Sequence, residues 1–128
     1  MTSSGLLLHG IEVNGKVHFD FTVRLPVIRD TINALSDTHE RYGTTEGAAA
    51  ATFYRVAVIA NALTALGDVD EGAITADLLL DELTDDDFDL IDTQISVIKK
   101  KRMDLNPNSS VTDSPSLPSV SVGSANNK

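Results

Sequence analysis

The chain has no cysteine, no tryptophan and only four prolines, and aromatic residues make up 5% of its 128 positions. Without thiols there is no disulfide, no thiolate metal site and no cysteine nucleophile. With so few aromatics, the core has to be assembled from Leu, Ile, Val and Ala. Basic residues are also scarce, ten against nineteen acidic, for a net charge of −9. Nucleic-acid binding needs an extended basic face, so nucleic acid is not an expected partner. Nor is a membrane. The longest apolar stretch, Ala48 to Leu66, is broken by Arg55 and rich in alanine, which suits a buried helix of a soluble protein. The opening Met1-Thr2-Ser3-Ser4-Gly5-Leu6-Leu7-Leu8 lacks a basic leader, and its apolar run is too short for a signal peptide. The expectation is a soluble, intracellular chain.

What is present is ordinary in amount and unusual in arrangement. Apolar residues at 41% and charged residues at 23% are near globular averages, and the length suits one domain with a modest core. The charge is not spread evenly. Residues 67–98 hold eleven acidic side chains and no Lys or Arg, and Lys99-Lys100-Lys101-Arg102 follow at once. Acid at the start of a helix and base at its end complement the helix dipole. From Asn106 onward the composition turns to Ser, Pro and Asn, which predicts a domain over 1–105 and a disordered tail over 106–128.

Local signals give the elements. Asn14-Gly15 suits a two-residue type I′ turn, in which both central positions need φ > 0. Val17, Phe19, Phe21, Val23 and Leu25 then alternate with Lys16, His18, Asp20, Thr22 and Arg24. A hairpin over 5–25 is expected, with Leu8 opposite Phe21, Leu6 opposite Val23 and His9 opposite Asp20. Pro26 suits the first turn of a helix, and Ile28, Ile32, Leu35, His39 and Tyr42 recur at spacings of 4, 3, 4 and 3 before Gly43. A second helix is expected over Thr45–Leu66, with Phe53, Val56, Ile59, Leu63 and Leu66 as its stripe and Gly67 as its stop. Thr75 can cap a short helix, and Thr84 can cap another whose buried stripe is Phe88, Ile91, Ile95 and Ile98. The fold class is α+β, an N-terminal hairpin packed on three to four helices over 26–105.

Catalytic signals are weak. Asp68-Val69-Asp70-Glu71-Gly72 opens like a calcium loop, but its glycine is one place early and Leu79 stands where a bidentate Glu is needed. Asp85-Asp86-Asp87-Phe88-Asp89 reads as a solvated helix start rather than an acid–base pair. His9, His18 and His39 have no third ligand to make a zinc set. No G-x-S-x-G, phosphate-loop or dinucleotide glycine pattern occurs. The reading is a binding protein that is not an enzyme, with no cofactor and no metal.

A family resemblance takes this further. Val23-Arg24-Leu25-Pro26-Val27-Ile28-Arg29-Asp30 follows the hairpin, Ala62-Leu63-Thr64-Ala65-Leu66 comes later, and Leu83-Thr84-Asp85-Asp86-Asp87-Phe88-Asp89-Leu90-Ile91 follows an acidic linker. In this order the words resemble the tail assembly chaperones of Mu-like contractile-tailed phages and related prophages, over about residues 6–102. The chain departs from the pattern at Gly67-Asp68, where the family often has proline. The resemblance implies a late protein of the host cytoplasm, not in the mature virion, that binds the tape measure protein during tail assembly. It also implies a longer, frameshifted form that recruits tail tube protein, for which the codons of Lys99-Lys100-Lys101 are a candidate slippery site. The expected partner-binding residues are Phe88, Ile91, Ile95 and Ile98 with Lys99, Lys100, Lys101 and Arg102. Homo-oligomerisation is left open. The alternative reading is an acidic regulatory protein that mimics DNA and binds a nucleic-acid enzyme.

Overall fold

The hairpin is present and its turn is as expected. In the computed structural model, which describes residues 1–108, strand β1 (Thr2–Val13) and strand β2 (Lys16–Arg24) flank Asn14 at φ 54° and Gly15 at φ 81°. Val13 pairs with Lys16, and the ladder runs antiparallel from there. The tail reading for 106–128 lies almost wholly outside the described residues.

The distal register differs from expectation. Ile11 pairs with His18 and Leu6 pairs with Asp20, so Leu7, Leu8, His9 and Gly10 together face only Phe19. Phe21 therefore lies opposite Gly5, and Val23 opposite Ser3. The insertion puts three extra residues into β1, and it changes the phase of alternation along the ribbon. Phe21 and Val23 are buried as predicted, but Val17 and Phe19 are 42% and 43% exposed while His18 turns inward beside Ile11.

Gly10 makes the bulge sterically possible. It sits at φ +81°, and a Cβ there would fall 2.5 Å from Val17 Cγ1 and 3.0 Å from the His18 carbonyl oxygen. A bulge also frees backbone donors, and Asp87 takes them. Its carboxylate accepts the N–H of Leu8 at 2.7 Å, of His9 at 3.1 Å and of Gly10 at 3.0 Å. Asp87 is thus fully buried, where the acidic run had suggested a solvated helix start. His9 lies beside Asp86 at 3.2 Å and not opposite Asp20. Farther along the same edge, Glu12 N–H reaches Glu82 and Ser3 donates to Gln94. The edge of β1 is closed by side chains of the last two helices.

After β2 the chain turns into helix α1 (Ile28–Tyr42). Pro26 stands just ahead of it rather than in its first turn, because Val27 occupies the N-cap position. The Asp30 carboxylate accepts the Val27 N–H at 2.7 Å and also takes the Arg24 guanidinium in a two-pronged pair at 2.7 and 2.8 Å. Arg24 further donates to the Asn61 carbonyl oxygen at 2.8 Å. One arginine thereby ties β2, the start of α1 and the end of the next helix together. Gly43 closes α1 at φ 74°. The face of α1 turned inward carries Asp30, Ala34 and Thr38, with the Thr38 hydroxyl bonded to the Ala34 carbonyl oxygen.

Helix α2 (Ala48–Ala62) is shorter than the Thr45–Leu66 expectation at both ends. Leu63–Leu66 instead forms strand β3, which pairs antiparallel with β2 and gives the sheet order β1-β2-β3. Leu63 and Leu66 are buried either way, so the apolar pattern survived while the element changed. Gly67 ends the strand at φ 52°, where a Cβ would lie 2.3 Å from His18 Nδ1. A 3-10 turn at Glu71–Ala73 leads to helix α3 (Ala76–Glu82) and then helix α4 (Asp85–Asp104). Both threonine caps form, Thr75 accepting from Leu78 N–H and Thr84 from Asp87 N–H, each at 3.2 Å.

The chain divides into two units, 1–98 and 99–128. Within the first, one core joins Leu7, Ile11, Phe21 and Val23 of the hairpin to Ile59, Leu63, Leu66, Leu79, Ile91, Ile95 and Ile98. A smaller cluster of Ala34, Phe53 and Ala57 holds α1 to α2. Among the described residues no helix is long and apolar enough to cross a membrane.

Two measurements test these anchors. Asp87→Ala strands three backbone donors, and we expect it to lower unfolding stability by about 3 kcal/mol or more in a denaturant titration. Asp87→Asn, which keeps one acceptor oxygen, should lose less. The second is acid sensitivity. Hydrogen bonding from Arg24 holds the Asp30 carboxyl below its ordinary 3.8, against burial, which pushes it up. Stability from this pair is therefore complete above the ordinary value and drains away as the pH falls through the lower, folded one. A denaturation midpoint followed from about pH 6 to pH 2 should fall for the parent. It should start lower and fall less for Asp30→Asn.

Candidate functional site

The concavity with the most chemical character lies between α2, α3 and the start of α4. It encloses about 430 Å³. Val56, Leu79, Leu80, Leu83 and Phe88 make its apolar lining, and Thr52, Arg55, Asp85 and Asp89 its polar border. Each element has a local reason to contribute. Arg55 is the one charge on an otherwise apolar and alanine-rich α2, and it falls between buried Phe53 and half-buried Val56. The short corner at Leu83-Thr84 turns α3 into α4 and leaves Leu83 facing the gap. Asp85 and Asp89, one helical turn apart, share a face of α4.

Arg55 is held over the ring of Phe88, with its guanidinium carbon 4.6 Å from the centroid. The stack keeps a cation at the mouth without filling the apolar floor. Leu80, 37% exposed, stands on the rim. The cleft thus offers apolar surface ringed by two carboxylates and one guanidinium. Its residues include no histidine, and its one threonine at the corner is committed to capping α4. It can take up an apolar side chain with a basic neighbour. It has no nucleophile paired to a base.

The expected partner-binding residues fall into three places. Phe88 reaches the cleft. Ile91, Ile95 and Ile98 are 0%, 4% and 0% exposed, packed in the core where a partner has no access in this fold. Lys99, Lys100, Lys101 and Arg102 lie exposed on the last turns of α4. Arg55, Val56, Leu80 and Leu83 also line the cleft and lie outside the expected set, although a lone arginine in an apolar helix is a visible sequence signal.

A second hollow of about 370 Å³ gathers Lys16, His18, Asp68 and Asp70 beside the hairpin turn. Lys16 Nζ lies 2.8 Å from Asp68, and this hydrogen bond holds the Asp68 carboxyl below the usual carboxylate range. His18 is buried, with Nδ1 3.4 Å from the Asp68 N–H, and packs over Gly67. The calcium-like word at 68–72 is a turn and the start of the 3-10 segment. No cluster of three or more His, Asp or Glu able to hold a metal occurs among the described residues.

No family model, curated protein or solved structure matches the chain. The resemblance to tail assembly chaperones therefore stands on the sequence words alone. Two charged members of the first word have a structural role independent of any family, since Arg24 and Asp30 are the partners of the two-pronged ion pair.

The Arg55–Phe88 stack can be weighed directly. A double-mutant cycle of Arg55→Ala and Phe88→Leu, read by chemical denaturation, should give a coupling of about 0.5–1 kcal/mol. Additive losses would mean that the stack contributes nothing.

Proposed function

We propose that this chain is a tail assembly chaperone, a non-catalytic protein that holds helical segments of a tape measure protein while the tail is built. The observation that carries the reading is the apolar cleft at Leu80, Leu83 and Phe88 with its acidic rim. A long helical client presents rows of apolar side chains, and one such row laid along the groove would bury Leu80 and Phe88. Lysines or arginines flanking that row would meet Asp85 and Asp89. The acidic surface, with a net charge of −11 over residues 67–98, keeps the complex soluble through mutual repulsion between complexes. The order of sequence words supports the same class of client. On this reading the protein acts in the host cytoplasm, and a frameshifted longer form would bring tail tube protein to the complex.

Affinity purification of an N-terminally tagged copy from cells producing the tail, read by mass spectrometry, tests this. The expected result is a very long helical tail protein that stays bound at about 1 M salt, because an apolar groove is little screened. Leu80→Asp should weaken that binding at least tenfold while circular dichroism stays unchanged. Recovery of a DNA-processing enzyme, released by salt, would overturn the chaperone reading and put the DNA mimic in its place.

A further inference from the structure

Helix α1 is amphipathic, and it is turned with its large apolar side chains outward. Ile28, Ile32, Leu35 and Tyr42 are 74%, 59%, 40% and 42% exposed, while Asp30, Ala34 and Thr38 face the protein. The inward choice has a clear cause. Asp30 is tethered to Arg24, and small Ala34 and Thr38 allow the close approach of Phe53 and Ala57 on α2. The outward face is then left as a strip of Ile28, Ile32, Leu35 and His39 that ends at Tyr42, whose half-exposed ring also meets Phe53 edge-on at 5.8 Å.

The spacing of that strip identifies what it fits. With His39, its members recur at 4, 3, 4 and 3, a mean period of 3.5 residues. This is the narrow seam of two helices packed along each other, rather than the broader stripe of a helix resting on a globular core. The flanking charges then choose the partner. Arg29 and Glu40 are eleven residues apart, close to three full turns, and so lie on one flank of the seam at opposite ends of the helix. An antiparallel copy of α1 centred on Leu35 sets Ile28 against Tyr42 and Ile32 against His39. It also places Arg29 of each copy beside Glu40 of the other. A parallel copy would put that flank against the side of the helix that holds Thr31, which carries no charge, and Thr38, which is buried against its own chain.

We propose that α1 is a homodimerisation face, and that a second copy of this chain covers it through an antiparallel, two-fold symmetric α1 pair. The contact is small, so the dimer forms reversibly with concentration. Residues 1–98 carry seventeen acidic and five basic side chains, so the two bodies repel each other. Moderate salt screens that repulsion and strengthens the dimer. The proposal does not rest on the identity of any client.

Sedimentation velocity of the full chain over about 1–200 µM tests it. The expected result is a monomer–dimer equilibrium that moves toward dimer as salt is raised. Ile32→Lys with Leu35→Lys should be monomeric throughout with an unchanged circular dichroism spectrum, because both side chains are exposed in the monomer. Arg29→Glu should weaken association about tenfold by placing two like-charged pairs across the seam. Combining it with Glu40→Arg should restore association, which an unrelated interface would not do. A wild-type chain that stays monomeric at every concentration overturns the proposal. So does a dimer that persists when Ile32 and Leu35 are both lysine.

Discussion

A buried carboxylate fitted to three backbone N–H groups constrains this structure more than any other contact. The bulge at Leu7–Gly10 would leave three backbone donors without their carboxylate partner if Asp87 were absent. Asp87 also shares a helix face with Ile91, Ile95 and Ile98, at spacings of 4, 4 and 3. The face that closes the edge of β1 is therefore the face that builds the core. Isoleucines alone would accept several offsets of α4 along the sheet. A carboxylate that must meet three donors accepts one, and so fixes the register of the whole helix.

Arg24 does for the other side of the sheet what Asp87 does for β1. Its guanidinium joins the end of β2 to the Asp30 carboxylate and to the Asn61 carbonyl near the end of α2. With that fork in place, α1 has no rotational choice. Asp30 points inward, and Ile28 and Ile32 point out. The exposed strip is thus a consequence of an ion pair, not of a shortage of apolar partners in the core. The cleft at Phe88 is set in the same manner, because fixing α2 against the sheet and α4 against β1 determines the gap into which α3 fits.

What the sequence made legible was local. The Asn14-Gly15 turn, the Thr75 and Thr84 caps and the Gly43 stop each depend on a few neighbouring residues, and all form. The class of fold followed from them. The bulge, strand β3 and the burial of Asp87 depend on residues far apart in the chain. An apolar word such as Leu63-Thr64-Ala65-Leu66 serves a helix end or a short strand equally well, and only the free edge of β2 decides between them. For the site, Phe88 was readable as a large apolar residue beside charges. The isoleucines on its helix read the same way, yet the sheet covers them. Helical period reports that a face is apolar, and does not say whether protein or solvent lies against it.

The order in which the pieces are made adds a last consequence. During synthesis β1 emerges before the helices that cover it, and the carboxylate that closes its edge follows 79 residues later. Over that interval the ribbon has a turn, a register and an open flank, but no roof. Unpaired strand edges of this length attract other chains. The hairpin therefore depends on a distant, later-made helix of its own polypeptide to become inert, and a nascent chain that stalls before α4 is the form most in need of protection.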